Sequence, residues 1–215
     1  MTYEGLTGSE TAEIRLAVNG SRDATARLLS ALAAIDDLDV TRPSLLPDWT
    51  VAHVLTHLAR NADSFVRILR AASEDAQVPQ YPGGAAGRKL EIEEGVKRAG
   101  QAILEDLAAS AARLDATWDE VPEAVWQRQG LRADGSPLPC RILPISRWRE
   151  VEVHHLDLGL GYAVSDWPAE FVKIDLPHAL DRVPERLGDP AQGAAFLAWI
   201  YGRADGPSGF ALRPF

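Results

Sequence analysis

Val54, Leu55, Leu58, Ala62, Phe65, Val66 and Leu69 recur three and four positions apart, a spacing that gathers them on one face of an α-helix and on neither face of a strand. A helix with so continuous an apolar stripe has to bury it against other elements. Three more stretches carry the same period. They are Ile14, Val18, Thr25, Leu28, Leu32 and Ile35; then Ile92, Val96, Ala99, Ile103, Leu107 and Leu114; and a segment from near Pro144 to Gly159 or Gly161. Four long amphipathic helices cover one another most simply as a bundle, so the chain is expected to be mainly α.

The punctuation between these stretches agrees. The first helix is expected from about Ser9 to Ile35, behind a Thr7-Gly8-Ser9-Glu10 capping-box pattern, with Gly20 as its weak point. The second follows Pro47-Asp48, with Asp48 as its N-cap. A loop rich in glycine and proline, Val78 to Gly87, leads to the third, and a second irregular stretch, Gly130 to Pro139, precedes the fourth. Proline near the start and glycine past the end bracket that fourth helix. From about Val164 the pattern shortens to two helices, Pro168 to Leu187 and Pro190 to Arg203, and a terminal Phe210-Ala211-Leu212 segment expected to be extended. The organisation read from this is a bundle over residues 1–163 and a small subdomain over 164–215. No repeat at a period of 20 to 50 residues suggests a solenoid.

An apolar fraction of 46% over 215 residues supports a real core. The 22 basic and 31 acidic residues give a net charge of −9, which opposes binding to nucleic acid or to anionic membrane surfaces and favours a small-molecule partner. One cysteine, Cys140, excludes an intrachain disulfide. There is no signal-like amino terminus and nothing near the roughly 20 apolar residues of a membrane span, so a cytoplasmic protein is expected.

Chemistry is concentrated on two of the helices. His53 and His57 sit four apart on the second, and Glu150 and His154 four apart on the fourth. Residues four apart share a helix face, so Glu150 and His154 can close on one ion that a histidine of the other helix completes. At about 100° per residue, Arg147, Glu150, His154 and Asp157 fall within roughly 80° of arc on a helix that is otherwise apolar on most sides. That quadrant is expected to face an internal polar site, with Asp157 behind a ligand histidine; the alternative is an ordinary surface ion pair.

On the second helix His57, Asn61 and Ser64 lie along the border of the apolar stripe. His53 lies one step toward Arg60 and Arg67 and is open to three readings: support for a ligand, a substrate contact, or a surface histidine. His155 is turned about 100° from His154 and should not reach the same ion. His57, Glu150 and His154 make two imidazoles and a carboxylate, the donor set of a catalytic zinc site with an open position, which iron, nickel or manganese also fit. Phosphate-binding, dinucleotide and nucleophile-elbow signatures are absent, and Cys140 reads as structural. Thiol chemistry would therefore need an imported thiol, which an open metal position can bind and deprotonate.

The stretch Leu45 to Asp63, with Pro47-Asp48-Trp49-Thr50 leading into His53 and His57, resembles the signature of the mycothiol-dependent maleylpyruvate isomerase family of the DinB-like superfamily. The block Arg147-Trp148-Arg149-Glu150-Val151-Glu152-Val153-His154-His155-Leu156-Asp157-Leu158-Gly159 is similar to that family's second ligand helix. Tyr81-Pro82-Gly83-Gly84 with Arg88 and Ile92 resembles its intervening loop, and Phe196 to Arg203 its C-terminal subdomain. The resemblance implies a DinB-like four-helix bundle with a small C-terminal α/β subdomain, and zinc on His57, Glu150 and His154. It also implies mycothiol as the thiol cofactor, with Asn61 and His53 as candidate contacts, and a dicarboxylate substrate from aromatic degradation. Arg203 falls where the family carries a substrate-binding arginine and is the candidate catalytic residue, while Arg88 is either a second anion contact or a residue that fixes the loop. Two other readings use the same scaffold: a mycothiol S-transferase acting on another electrophile, and a non-catalytic bundle whose metal holds the helices together.

Overall fold

The computed structural model describes residues 7–201 and 203. The chain divides into two compact units, Met1–Trp167 and Pro168–Phe215. The first contains helices α1 (Gly8–Ala33), α2 (Val51–Ser73), the shorter α3 (Gly84–Gly95), α4 (Gly100–Glu120) and α5 (Leu143–Asp157). Helices α1, α2, α4 and α5 form a four-helix bundle in which α2 packs on α4 and α5, and α1 packs on α5. The stripe of α2 is its spine: Val54, Leu55, Leu58, Ala62, Phe65 and Leu69 are buried.

Helix α1 starts as its sequence requires. The Glu10 amide donates to Thr7 Oγ1 at 3.2 Å, and the Thr7 amide donates to Glu10 Oε2 at 3.0 Å. Gly20 is not a weak point but a close approach, because a Cβ there would lie 2.3 Å from the ring of Trp148 on α5. The start of α2 differs from expectation. Asp48 adopts φ 62° and Thr50 is the N-cap; the Thr50 amide donates to Nδ1 of His53 at 3.1 Å, so His53 closes the first turn of its own helix.

The third long helix is in fact two. After Gly95 the chain turns, Ala99 is extended and α4 begins at Gly100. A Cβ at Gly95 would sit 2.3 Å from Thr56 Cγ2, so this end of α3 is pressed onto α2. The Arg98 guanidinium bridges the break, donating to the Gly95 carbonyl at 2.9 Å and to Asp106 Oδ2 at 2.8 Å. The stretch from Gly130 to Pro139, expected to be irregular, forms a hairpin of β1 (Gln129–Leu131) and β2 (Pro137–Pro139) around a turn at Gly135, φ 84°. Its first strand also holds the site loop: the Gln80 amide donates to the Leu131 carbonyl at 2.7 Å, and the Leu131 amide to the Val78 carbonyl at 3.0 Å.

In the second unit the described residues form α6 (Ala169–Asp181), α7 (Val183–Arg186) and α8 (Pro190–Ile200). The single helix expected over 168–187 is interrupted at Arg182, where Pro184, lacking an amide hydrogen, begins a new turn. Asp189 caps α8 by accepting from the Gln192 amide at 2.9 Å. The Phe210-Ala211-Leu212 segment lies outside the described residues. Among the described residues no helix is long and apolar enough to cross a membrane.

Candidate metal centre

Glu150 and His154 stand one turn apart on α5 and face α2, where His57 meets them. Glu150 Oε2 lies 2.7 Å from Nε2 of His57 and 3.4 Å from Nε2 of His154. The two imidazoles meet edge to face with centroids 4.8 Å apart. One donor atom from each of the three residues falls within 4.8 Å of the others, near enough for the three side chains to close on one ion. The His57 side chain is 4% exposed and that of Glu150 32%, so the cluster is closed on the α2 side and open to solvent at the carboxylate.

Neighbouring side chains hold the donors. Asp157 Oδ2 lies 2.8 Å from Nδ1 of His154 and turns its Nε2 inward. Arg88 reaches His57 from the start of α3, where a Cβ on Gly87 would sit 1.7 Å from the Pro82 carbonyl oxygen. That tight turn returns the Arg88 guanidinium over the Tyr81 ring, 5.9 Å from its centroid, and places Nη2 3.1 Å from Nδ1 of His57. Arginine can only donate, so Nδ1 accepts and Nε2 carries the hydrogen given to Glu150. Trp49 closes the other side, edge-on to His57 at 5.8 Å and stacked on His53 at 5.9 Å.

Burial disfavours the charged form of all three groups, with unequal compensation. At His57 burial wins, and the ring is held below the usual histidine range. At His154 burial is outweighed by Glu150 and Asp157, and its pKa rises. At Glu150 burial is outweighed by the hydrogen bonds of His154 and His57, which hold the carboxyl well below the usual carboxylate range. A permanent carboxylate, a neutral imidazole and an imidazole steered by an aspartate suit a divalent cation with an open position.

The profile of the family described as "Mycothiol maleylpyruvate isomerase N-terminal domain" matches residues 21–159, which span α2, α5 and everything between them. The chain belongs to this family. Two solved structures are similar, one a crystal structure of the mycothiol-dependent maleylpyruvate isomerase and the other of a histidine-to-alanine mutant of it. Each superposes with a TM-score of 0.70 at 28% identity over 74% of this chain. The match covers 66% of either solved chain, just under two thirds of its length. No curated protein matches.

Within this isomerase-family scaffold the other residues singled out in the sequence are distributed unevenly. Asn61 is buried beside the centre, and its Oδ1 accepts from Nη1 of Arg147 at 2.8 Å; the same Nη1 donates to the Leu58 carbonyl at 2.8 Å. Asn61 thereby holds the buried arginine of the α5 polar face. His53 is occupied at Nδ1 as a helix cap. His155 turns away, as its 100° offset requires, and stacks on Tyr162 at 3.9 Å. Arg203 lies in the second unit, exposed, with its amide donating to the Ala198 carbonyl at 2.7 Å. Cys140 is buried, and desolvation lifts its thiol to about 11, which leaves it unreactive. Sequence reasoning passed over Trp49 and Tyr81 as parts of the wall. The signal for Trp49 was an aromatic one turn ahead of the first histidine; for Tyr81 it was the tight turn bringing an arginine back seven residues later.

Proposed function

We propose that this protein isomerises maleylpyruvate to fumarylpyruvate, using mycothiol as a recycled thiol and a divalent cation, expected to be zinc, held by His57, Glu150 and His154. The observation that carries the reading is the convergence of two imidazoles and a carboxylate, three donors where a tetrahedral ion takes four, in a chain of the isomerase family. When bound, the cation lowers the pKa of the thiol, whose sulfur can then add reversibly to the cis double bond, allow rotation and leave again, so that the thiol returns unchanged.

The protein's own groups do the rest. Glu150 stays ionised and supplies the negative charge of the donor set. Asp157 keeps Nδ1–H of His154 engaged and its Nε2 directed inward. Trp49 and Tyr81 wall off solvent around His57. Arg88, a cation at the rim of the donor cluster, offers two parallel N–H groups to a substrate carboxylate. Arg203 is assigned the second carboxylate and the charge that develops on the substrate ketone oxygen when the double bond is attacked.

The test is conversion of maleylpyruvate by purified, zinc-loaded protein with and without mycothiol. Conversion that requires the thiol and returns it unchanged supports the proposal; no conversion refutes it, and a stable sulfur conjugate would make the protein an S-transferase on the same centre. Arg203→Ala should lose turnover while retaining zinc, and undiminished activity in that variant would remove Arg203 from the mechanism.

A further inference from the structure

Arg147 is the most deeply buried cation of the bundle, 1% exposed, and the carboxylate of Glu150 acts on its charge without a hydrogen bond to it. Its Nη1 is spent on the Leu58 carbonyl and on Asn61 Oδ1, both uncharged, and its Nη2 has no hydrogen-bond partner. Among the described residues no carboxylate bonds to it. Burial lowers its pKa only to about 10, so it remains charged at neutral pH. A desolvated guanidinium with a free donor is costly unless an anion or another acceptor meets it.

Arg147 also lines a cavity. Because α1 packs on α5 and α4 on α2, the α1–α4 side of the bundle is less tightly closed, and a space of about 220 Å³ opens there. Its walls are Thr25, Leu29, Ala108 and Ala111, small or apolar, and Arg22 stands at its partly exposed mouth. The cavity's own acidic group, Asp115, is committed to Arg22 at that mouth. The hydroxyls of Ser21 and Thr25 donate back into α1, to the carbonyls of Val18 and Ser21. The wall is therefore mostly apolar, its mouth is internally paired, and the buried donor left without a partner is Nη2 of Arg147.

We propose that this cavity is a second ligand site, separate from the metal centre, that binds a small monocarboxylate by its head on Arg147 with a short apolar body against Leu29, Ala108 and Ala111. At roughly 30 Å³ for each water-sized group, the space holds about seven non-hydrogen atoms, the size of pentanoate.

The test uses the full, zinc-loaded chain and two probes of one shape, pentanoate and the neutral pentanamide, followed by backbone amide NMR shifts. The expected result is saturable binding of pentanoate, at least about tenfold tighter than pentanamide because a charge-assisted bond is lost in the amide, with shifts centred on Thr25, Ala108 and Ala111. Ala111→Leu, which fills the cavity, should abolish those shifts without changing zinc content, and Arg147→Met should weaken binding by a similar factor to the amide swap. Shifts confined to the surroundings of His57 and His154 would place the carboxylate on the metal centre and overturn the proposal. So would equal binding of the two probes, undiminished binding to Ala111→Leu, or no saturable binding at millimolar pentanoate.

Discussion

Removing the side chain of Asp157 isolates what the partner of a ligand contributes, because Asp157 sits behind His154 and not in the donor cluster. Its carboxylate lies 2.8 Å from Nδ1 of His154, and the two side chains are 15% and 17% exposed, so the pair is largely shielded from solvent. Its backbone carbonyl accepts from the Leu45 amide at 2.7 Å, a bond that side-chain substitutions leave in place. Changes in metal binding should therefore reflect the imidazole and not the local fold. Partners of this kind are worth about 10- to 100-fold in metal affinity, or about 1.4–2.7 kcal/mol. Asp157→Asn keeps an acceptor for Nδ1–H but loses the charge, and is expected near the tenfold end; Asp157→Ala loses both and is expected near the hundredfold end. Competition with a chelator of known affinity measures both, with circular dichroism as the control for folding. Affinities within twofold of the parent in both variants, or a larger loss in Asn than in Ala, would refute the assignment of Asp157 as the residue that orients His154.

Arg88 should act in the opposite sense. Its donor occupies Nδ1 of His57 and places a positive charge beside the donor cluster, so Arg88→Met is expected to tighten zinc by about tenfold while impairing substrate binding; weaker zinc binding in that variant would contradict the tautomer argument. Metal affinity should rise with pH across the neutral range with a slope near one, and a slope near two would mean that His57 also has to lose a proton. The sign follows from the directions at each group: His154, raised above its ordinary value, must give up a proton to bind a cation, whereas His57, lowered, is already neutral and Glu150 is already ionised. In the metal-free protein the same shift works the other way on folding. The His154 imidazolium stabilises the native state below its unfolded pKa, and that contribution is lost as pH rises through the raised native value. At the α1–α5 contact, Gly20→Ala should lower stability by about 1–3 kcal/mol, read as a fall in Tm, because its Cβ would overlap the Trp148 ring at 2.3 Å; an unchanged Tm would show that the ring moves freely.

What could be read from the sequence was what depends on periodicity. The stripes of α1, α2 and α5 are local, strong and uninterrupted, so the bounds of α1 and the starts of α2 and α5 were legible within about two residues, and the end of α5 within two to four. The convergence of the three residues was legible for the same reason: Glu150 and His154 share a face by spacing alone, and their polar quadrant was expected to face an internal site, with a surface ion pair as the alternative. The break between α3 and α4 was hidden because Ile92 and Ile103, both buried, keep the same apolar phase on either side of it. The signal lay in Gly95, whose missing side chain admits Thr56, and that is a contact between segments 39 positions apart that no local pattern contains. Asp48 looked like a cap because aspartate is a good one, but the chain places it in the left-handed region two residues early and gives the role to Thr50 with His53.

The same limit explains why one buried polar residue was not singled out. Glu152 stands between Val151 and Val153 on α5, and no local pattern marks it as buried. In the structure it is 1% exposed and takes Nε1 of Trp148 at 2.9 Å, together with donors from Arg27 and Tyr162. Those donors come from α1, from one turn earlier on α5 and from ten residues beyond it. A buried carboxylate is tolerable only when such donors assemble around it, so its burial is a consequence of the tertiary fold and not of its neighbours in sequence. Glu150, two residues earlier, stays 32% exposed and meets imidazoles instead of arginine and indole. Helix α5 thus carries two carboxylates on different faces with opposite tasks: Glu152, saturated by donors, locks the helix to α1, while Glu150, left with an open side, is free to accept a cation.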